Sequence, residues 1–252
     1  MGLTKNSTGN KLLGDDFNCL VSEADFVVGL IGNPNVGKSS VFNNLTGLHQ
    51  HTGNWPGKTI ESSYGVFNFK DDNFLLVDLP GTYSLKSYSQ EEEVTTDFVQ
   101  KANFDTMVVV VDATALERNL KLVLQMLEIT KNVVVCVNLL DEAKKKKIKI
   151  DLEELENILG VPVVGTIATR KDTLEKLKIA IKNVANNKTD MVENYNSDEE
   201  MVKYAEDVVK KVVKKADVSN DRDRKIDKIL TSKKYGILIM IAMLGVIFWL
   251  TI

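Results

Sequence analysis

The stretch FVVGLIGNPNVGKSSVFNNLTG, residues 26–47, constrains the fold more than any other part of the chain. It opens with an apolar, β-branched run of strand length (26–32) that ends in glycine, and a helical pattern begins near Lys38. Between them lies Gly32-Asn33-Pro34-Asn35-Val36-Gly37-Lys38-Ser39, with Ser40 behind it, a complete G-x-x-x-x-G-K-S loop. The glycines let the backbone curl so that successive N–H groups point at phosphate oxygens. Lys38 is placed to reach β- and γ-phosphates, the Ser39 hydroxyl to ligate Mg²⁺, and the helix N-terminus to add its positive end. A loop of this kind works at a strand-to-helix turn, so it predicts an α/β domain.

The rest of the chain agrees. SSYGVFNF (62–69) and NFLLVDLP (73–80) read as strands joined by a turn at Asp71-Asp72, and MVVVVDA (107–113), NVVVCVN (132–138) and VPVVGTIA (161–168) as further strands. Helical patterns lie between and after them at ERNLKLVLQMLEIT, DLEELENIL and DTLEKLKIAIKNVANN. Fully apolar strands alternating with amphipathic helices predict a mostly parallel sheet covered on both faces. Residues 1–24 form a polar extension, 25–185 the α/β domain, and 186–235 a purely helical spacer in which DEEMVKYAEDVVKKVVKKA carries its valines and Tyr204 on one side.

Residues 236–252, GILIMIAMLGVIFWLTI, contain no charge. As a helix they span about 25 Å, slightly short of a hydrocarbon core of about 30 Å. The preceding DRDRKIDKILTSKKY holds six Lys/Arg against three Asp, which places the polar part of the chain in the cytoplasm. We expect a transmembrane segment here, either cut short at residue 252 or a short anchor that needs a partner. Cys19 and Cys136 lack metal-ligand spacing, and Cys136, inside VVVCVNLL, reads as a small buried thiol. The net charge of −3 argues against a nucleic-acid binder, so no nucleic-acid partner is expected.

Three further motifs follow the phosphate loop in order. Asp78-Leu79-Pro80-Gly81 ends a strand, where the carboxylate would hold Mg²⁺ through water. Asn138-Leu139-Leu140-Asp141 ends another, and a carboxylate there can accept both the N1–H and the exocyclic amine of guanine. Adenine offers no such pair, and a buried acceptor left unpaired costs about 1–3 kcal/mol. Ile167-Ala168-Thr169 would bring a backbone N–H to the guanine O6.

These four elements resemble the translation-factor-related class of small GTPases. HTGNWPGKTIE (51–61), DLPGTYSL (78–85) and VVVVDATALERNLKLVLQMLE (108–128) resemble the GTPase domain of the FeoB ferrous-iron transporter family, and KIDKILTSKKYGILI the passage into its first membrane helix. The resemblance implies an α/β P-loop GTPase domain plus a small all-α region and a C-terminal membrane helix. It further implies GTP and GDP as ligands, Mg²⁺ and K⁺ as cofactors, and a slow GTP hydrolysis. Thr59, beside Gly57, matches the switch-I threonine that meets Mg²⁺ and the γ-phosphate. Asn35 matches the asparagine associated with K⁺ ligation. Catalysis would rest on Lys38, Asn35, Thr59 and Gly81. The implied partner is a membrane permease, in a following portion or a separate chain, with Fe²⁺ as its cargo rather than a ligand of this domain.

Two of the motifs depart from common GTPase patterns. Thr82-Tyr83 stand where many GTPases orient the hydrolytic water with glutamine, so backbone groups, another loop or K⁺ must do this work. Leu139 replaces the lysine of N-K-x-D loops, which predicts weaker binding and quicker GDP release. His49 and His51 read as ordinary loop histidines, Trp55 and Pro56 as stiffeners of switch I, and AKKKKIK (143–149) as a solvated face. A membrane-anchored regulatory GTPase without a transport role, and a ribosome- or RNA-associated GTPase, share the four motifs. The second should carry a basic domain and no membrane segment.

Overall fold

The computed structural model describes residues 24–47, 51–54, 61–85, 99, 104–189, 198–215 and 248–249. The chain divides into two compact units, Met1–Lys214 and Lys215–Ile252. The main sheet belongs to the first and has seven strands: β1 (Phe26–Gly32), β2 (His51–Asn54), β3 (Glu61–Phe69), β4 (Asp72–Asp78), β5 (Thr106–Asp112), β6 (Val133–Asn138) and, after a short β7 (Ile148–Ile150) outside it, β8 (Val163–Gly165). Their order is β2-β3-β4-β1-β5-β6-β8. The β2–β3 and β3–β4 pairings are antiparallel, and the other four are parallel.

The apolar strands are buried on both faces because helices cover both. Along β1 and β5, Val28, Leu30, Val108 and Val110 join Phe42, Leu177 and Ile181 beneath α1 (Lys38–Thr46) and α5 (Lys171–Asn186). Their neighbours Ile31, Val109 and Val111 turn to the opposite face and pack with Leu120, Leu124 and Leu155 of α2 (Leu116–Leu127) and α4 (Leu152–Leu159). This is the period-two alternation of a strand, with both faces apolar. Phe74, fully buried, stacks against Phe26 and Phe67 at centroid distances of 5.2 and 5.0 Å and closes the lower side of the sheet.

β1 sits in the middle, paired with β4 on one side and β5 on the other, in registers that set Leu30 beside Asp78 and Gly32 beside Val110. The carboxyl ends of β1, β4, β5 and β6 therefore line one edge of the sheet, at the point where the strand order reverses. Ligands of open α/β sheets bind at such a switch point.

Several elements differ from the sequence reading. The last sheet strand is three residues long rather than eight, because Pro162 offers no N–H to the ladder and the chain turns away after Gly165. The β3–β4 turn falls at Lys70-Asp71, with Lys70 at φ 56°. Within the helical spacer, α6 (Asp198–Val212) runs directly into a strand, β9 (Val213–Lys215), which pairs with β7. The β-branched Val212 and Val213 favour that extension, and Val212 O receives the Asp151 N–H at 2.9 Å. On α6 the buried face is Met201, Ala205, Val208 and Val212, whereas Tyr204 and Val202 are exposed, so the tyrosine is not on the packed side. Strands β2 and β7 and the six-residue α3 (Leu140–Lys145) were too short to show a period. Lys144 to Lys147 are exposed, as a solvated face requires. Among the described residues no helix is long and apolar enough to cross a membrane. Of 236–252 the structure describes Phe248 and Trp249 alone, so the expected membrane helix lies outside the described residues.

Gly32 shows how tightly β1 is set. A β-carbon there would lie 2.6 Å from the Val110 carbonyl oxygen of β5. Gly32→Ala should force the two strands apart and destabilise the domain by about 1–3 kcal/mol, read as a fall in thermal midpoint of roughly 2–12 °C.

Candidate functional site

The loop from Asn33 to Gly37 leaves β1 with Asn35 at φ 66° and Gly37 at φ 82°, both left-handed. This curl delivers the chain to α1 with Gly37 as N-cap, no side-chain cap and no acid in the first turn. Helices α2, α3 and α5 also lack a side-chain cap but carry Glu117, Asp141 with Glu142, and Asp172 in their first turns, whereas α4 is capped by Asp151, whose Oδ1 accepts the Glu154 N–H at 3.1 Å. The N-terminal N–H groups of α1 are thus left to an anion, which the helix dipole also favours. Asn35, Ser39 and Ser40 are exposed, and Val36 is buried against the core.

Lys38 forms an ion pair with Asp78, at the end of the neighbouring strand β4. Burial pushes the Asp78 carboxyl above its usual range, and the Lys38 ammonium works against that rise. The residues after Asp78 are pinned to the phosphate loop: Leu79 N–H donates to Leu30 O at 2.9 Å and Thr82 N–H to Gly32 O at 3.2 Å. Between them Gly81 lies against Pro34, where a β-carbon would come within 3.6 Å of the Pro34 nitrogen. The Thr82 hydroxyl is buried and donates to Ser84 O at 2.5 Å. Tyr83, 47% exposed, lies beneath the Arg118 guanidinium at 4.6 Å. Neither side chain does the work of a water-orienting glutamine in this arrangement. On the far side, Gln125 of α2 accepts the Leu85 N–H at 2.9 Å and donates to Ser84 Oγ at 3.0 Å. The stretch Leu79 to Leu85, which corresponds in order to the switch II of GTPases, is therefore held between the phosphate loop and α2.

Asn138, fully buried, ends β6 and binds two other loops with its amide. Its Nδ2 donates to Val36 O at 3.1 Å, and its Oδ1 accepts the Thr166 hydroxyl at 3.2 Å. Gly37 must be glycine twice over, since its φ is positive and a β-carbon would sit 2.5 Å from Asn138 Nδ2. Leu139 adopts φ 62° and lies against Gly37, with Cδ2 at 3.8 Å from that same point, so an apolar contact stands where a lysine stem is common. Asp141, half-buried, occupies the first turn of α3. Thr166 N–H donates to Val137 O at 2.8 Å, which brings Ile167, Ala168 and Thr169 alongside. Beneath them the Cys136 thiol lies 3.1 Å from the Thr166 hydroxyl, and burial pushes it up to about 12, as an inert core thiol.

The structure thus gathers Gly32 to Ser40, Asp78, Gly81, Asn138, Asp141 and Ile167 to Thr169 at one edge of the sheet. Gly57, Thr59, Trp55, Pro56 and His49 lie outside the described residues, and among those described no group of His, Cys, Asp and Glu could hold a metal. The sequence reading gave no role to Thr166, nor to Gln125 and Arg118 within the 108–128 stretch that carries the resemblance; each acts through a distant partner.

A phosphate-loop strand–helix turn, an aspartate at the next strand and an asparagine-anchored loop on a mostly parallel sheet define a P-loop GTPase fold. The model of the family Ferrous iron transport protein B matches residues 26–181, and the chain belongs to this FeoB family. The Fe(2+) transporter FeoB of Helicobacter pylori is 38% identical over 240 residues, 90% of this chain and 37% of that protein. That of Salmonella typhimurium is 42% identical over 187 residues, 73% of this chain and 23% of the other. The chain therefore spans well under half the length of these relatives. Among solved structures, the cytosolic domain of T. maritima FeoB in a GDP form superposes with a TM-score of 0.69 at 31% identity, covering 75% of this chain and 98% of that one. The FeoB G-domain from Methanococcus jannaschii does so at 0.57 and 43%, covering 64% and 97%.

Asn138→Ala removes the bonds to Val36 and Thr166 and leaves buried groups unpaired. It should lower unfolding stability by about 1–3 kcal/mol, read from the urea midpoint at unchanged slope.

Proposed function

We propose that this chain is the GTP-binding and GTP-hydrolysing module of a ferrous-iron uptake system. The observation that carries the proposal is the uncapped α1 N-terminus beside Lys38, joined through Asn138 to the loops of Asp141 and Ala168. A triphosphate fits the first part and a guanine the second. In this reading the β- and γ-phosphates draw the Lys38 ammonium from Asp78, whose carboxylate would then face the Mg²⁺ position. Ser39 and Thr59 would hold Mg²⁺, and Asn35 would hold K⁺. Once bound, the two cations offset the charge that develops on the transferring phosphoryl group. With Thr82 committed to Ser84, backbone groups orient the attacking water. Gly57 and Gly81 allow the switch loops to close on the γ-phosphate, and Asp141 selects guanine.

Hydrolysis releases the switch loops. The movement has a structural route to the spacer: the root of switch II is bonded to Gln125 of α2, and α2 packs against α6. Residues 186–235 would pass the change to a membrane permease that begins at 236–252 or is supplied as a separate chain, with this module on the cytoplasmic side and Fe²⁺ as cargo.

Anaerobic Fe²⁺ uptake in cells lacking the gene tests the reading: the native chain should restore it and Asp141→Asn should not. In vitro, Asp141→Asn should weaken GTP binding roughly 5- to 150-fold while favouring xanthosine triphosphate. Uptake restored equally by both chains would sink the nucleotide-dependent role. GTP turnover should also be faster in K⁺ than in Na⁺ at equal ionic strength, and equal rates would remove K⁺ from the mechanism.

A further inference from the structure

We infer that Thr173, the third residue of α5, is a specificity-positioning residue: its hydroxyl fixes the loop whose backbone N–H groups read the 6-oxygen of guanine. The inference rests on the guanine reading above and extends it to a side chain outside every motif.

The loop Ile167–Arg170 leaves the sheet after Thr166, which is anchored on all sides. Its N–H donates to Val137 O at 2.8 Å, its hydroxyl to Asn138 Oδ1 at 3.2 Å, and its carbonyl accepts the Leu140 N–H at 3.4 Å. The four residues that follow have no strand partner. They are held instead by one hydroxyl together with backbone bonds inside the turn. Thr173 Oγ1 accepts the Ile167 N–H at 3.2 Å and lies 3.0 Å from Ile167 O and 2.8 Å from Arg170 O. Having one proton, it donates to one of the two carbonyls at a time. Backbone bonds from Arg170 N–H to Ile167 O at 2.7 Å and from Thr173 N–H to Arg170 O at 3.2 Å close the same turn.

The Ala168 and Thr169 N–H groups stand apart from this web and donate to no group among the described residues. Ala168 is nevertheless buried. An unengaged donor on a braced turn, carried by a residue whose side chain packs into the core and next to the loop of Asp141 through the Leu140–Thr166 bond, suits a carbonyl oxygen presented by the same base. Discrimination by a hydrogen bond depends on the donor being held in place, because a loop that follows the ligand accepts the wrong atom as readily as the right one.

The test uses the full chain and two analogue ratios. The first is GTP against 6-thio-GTP, which changes the atom at position 6 and keeps the N1–H and the 2-amino group. The second is GTP against ITP, which removes the 2-amino group facing Asp141. Thr173→Val keeps the shape and loses the hydroxyl. It should shrink the first ratio about 3- to 10-fold and leave the second unchanged, with Thr173→Ser restoring the native value. If the valine variant does not fold, Thr173→Ala takes its place. An unchanged first ratio, or two ratios falling together, would overturn the inference. A native chain with no preference for GTP over ATP would overturn the guanine reading itself, and this inference with it.

Discussion

The buried amide of Asn138 is the interaction on which the site depends. It ends a strand whose residues are all buried, so it cannot turn to water, and both its ends must find partners inside the protein. One end takes the phosphate loop at Val36, and the other takes the loop after β8 through Thr166. Three loops far apart in sequence are thereby set at fixed distances. The same amide explains why Gly37 admits no side chain, and why Leu139 can lie flat against the loop.

The second constraint is the central place of β1. Its neighbours are β4 and β5, so the loop that leads from β1 into α1 must pass beside the residue that ends β4. Lys38 and Asp78 meet for that reason, and their pairing is a property of strand order rather than of local sequence. Beyond Asp78 the chain is tied on both flanks, to Gly32 on one side and to Gln125 on the other. The short segment between the two flanks is bonded through the N–H groups of Leu79, Thr82, Ser84 and Leu85.

Much of this was legible in the sequence because the decisive signals were local. The G-x-x-x-x-G-K-S loop between an apolar run and a helical period implied the α/β sheet, and the ordered D-x-x-G and N-x-x-D motifs fell at strand ends as expected. The shortfalls have physical causes. Strands of three or four residues, such as β7 and β2, have no period to detect. β9 follows a long amphipathic run, and its pairing with a segment some sixty residues earlier decides its form. Tyr204 looked like part of the apolar side of α6, yet the face that packs is set by α2 and α4. Gln125 and Thr166 had no role that their own stretch of sequence could show, and each matters through a partner 28 to 41 residues away.

The strand order also sets a timetable for synthesis. β1 is made first, yet its two partners begin at Asp72 and Thr106, and the Asn138 that braces its loop comes later still. The phosphate loop emerges early and waits, unshaped, for most of the domain. The last helix of that domain, α5, ends at Asn186, 50 residues before the apolar stretch begins at Gly236 (236 − 186). At roughly 5–20 residues per second that interval lasts about 3–10 s. Mixed α/β domains commonly fold faster than that. The nucleotide site can thus be complete on the nascent chain before the apolar stretch exists.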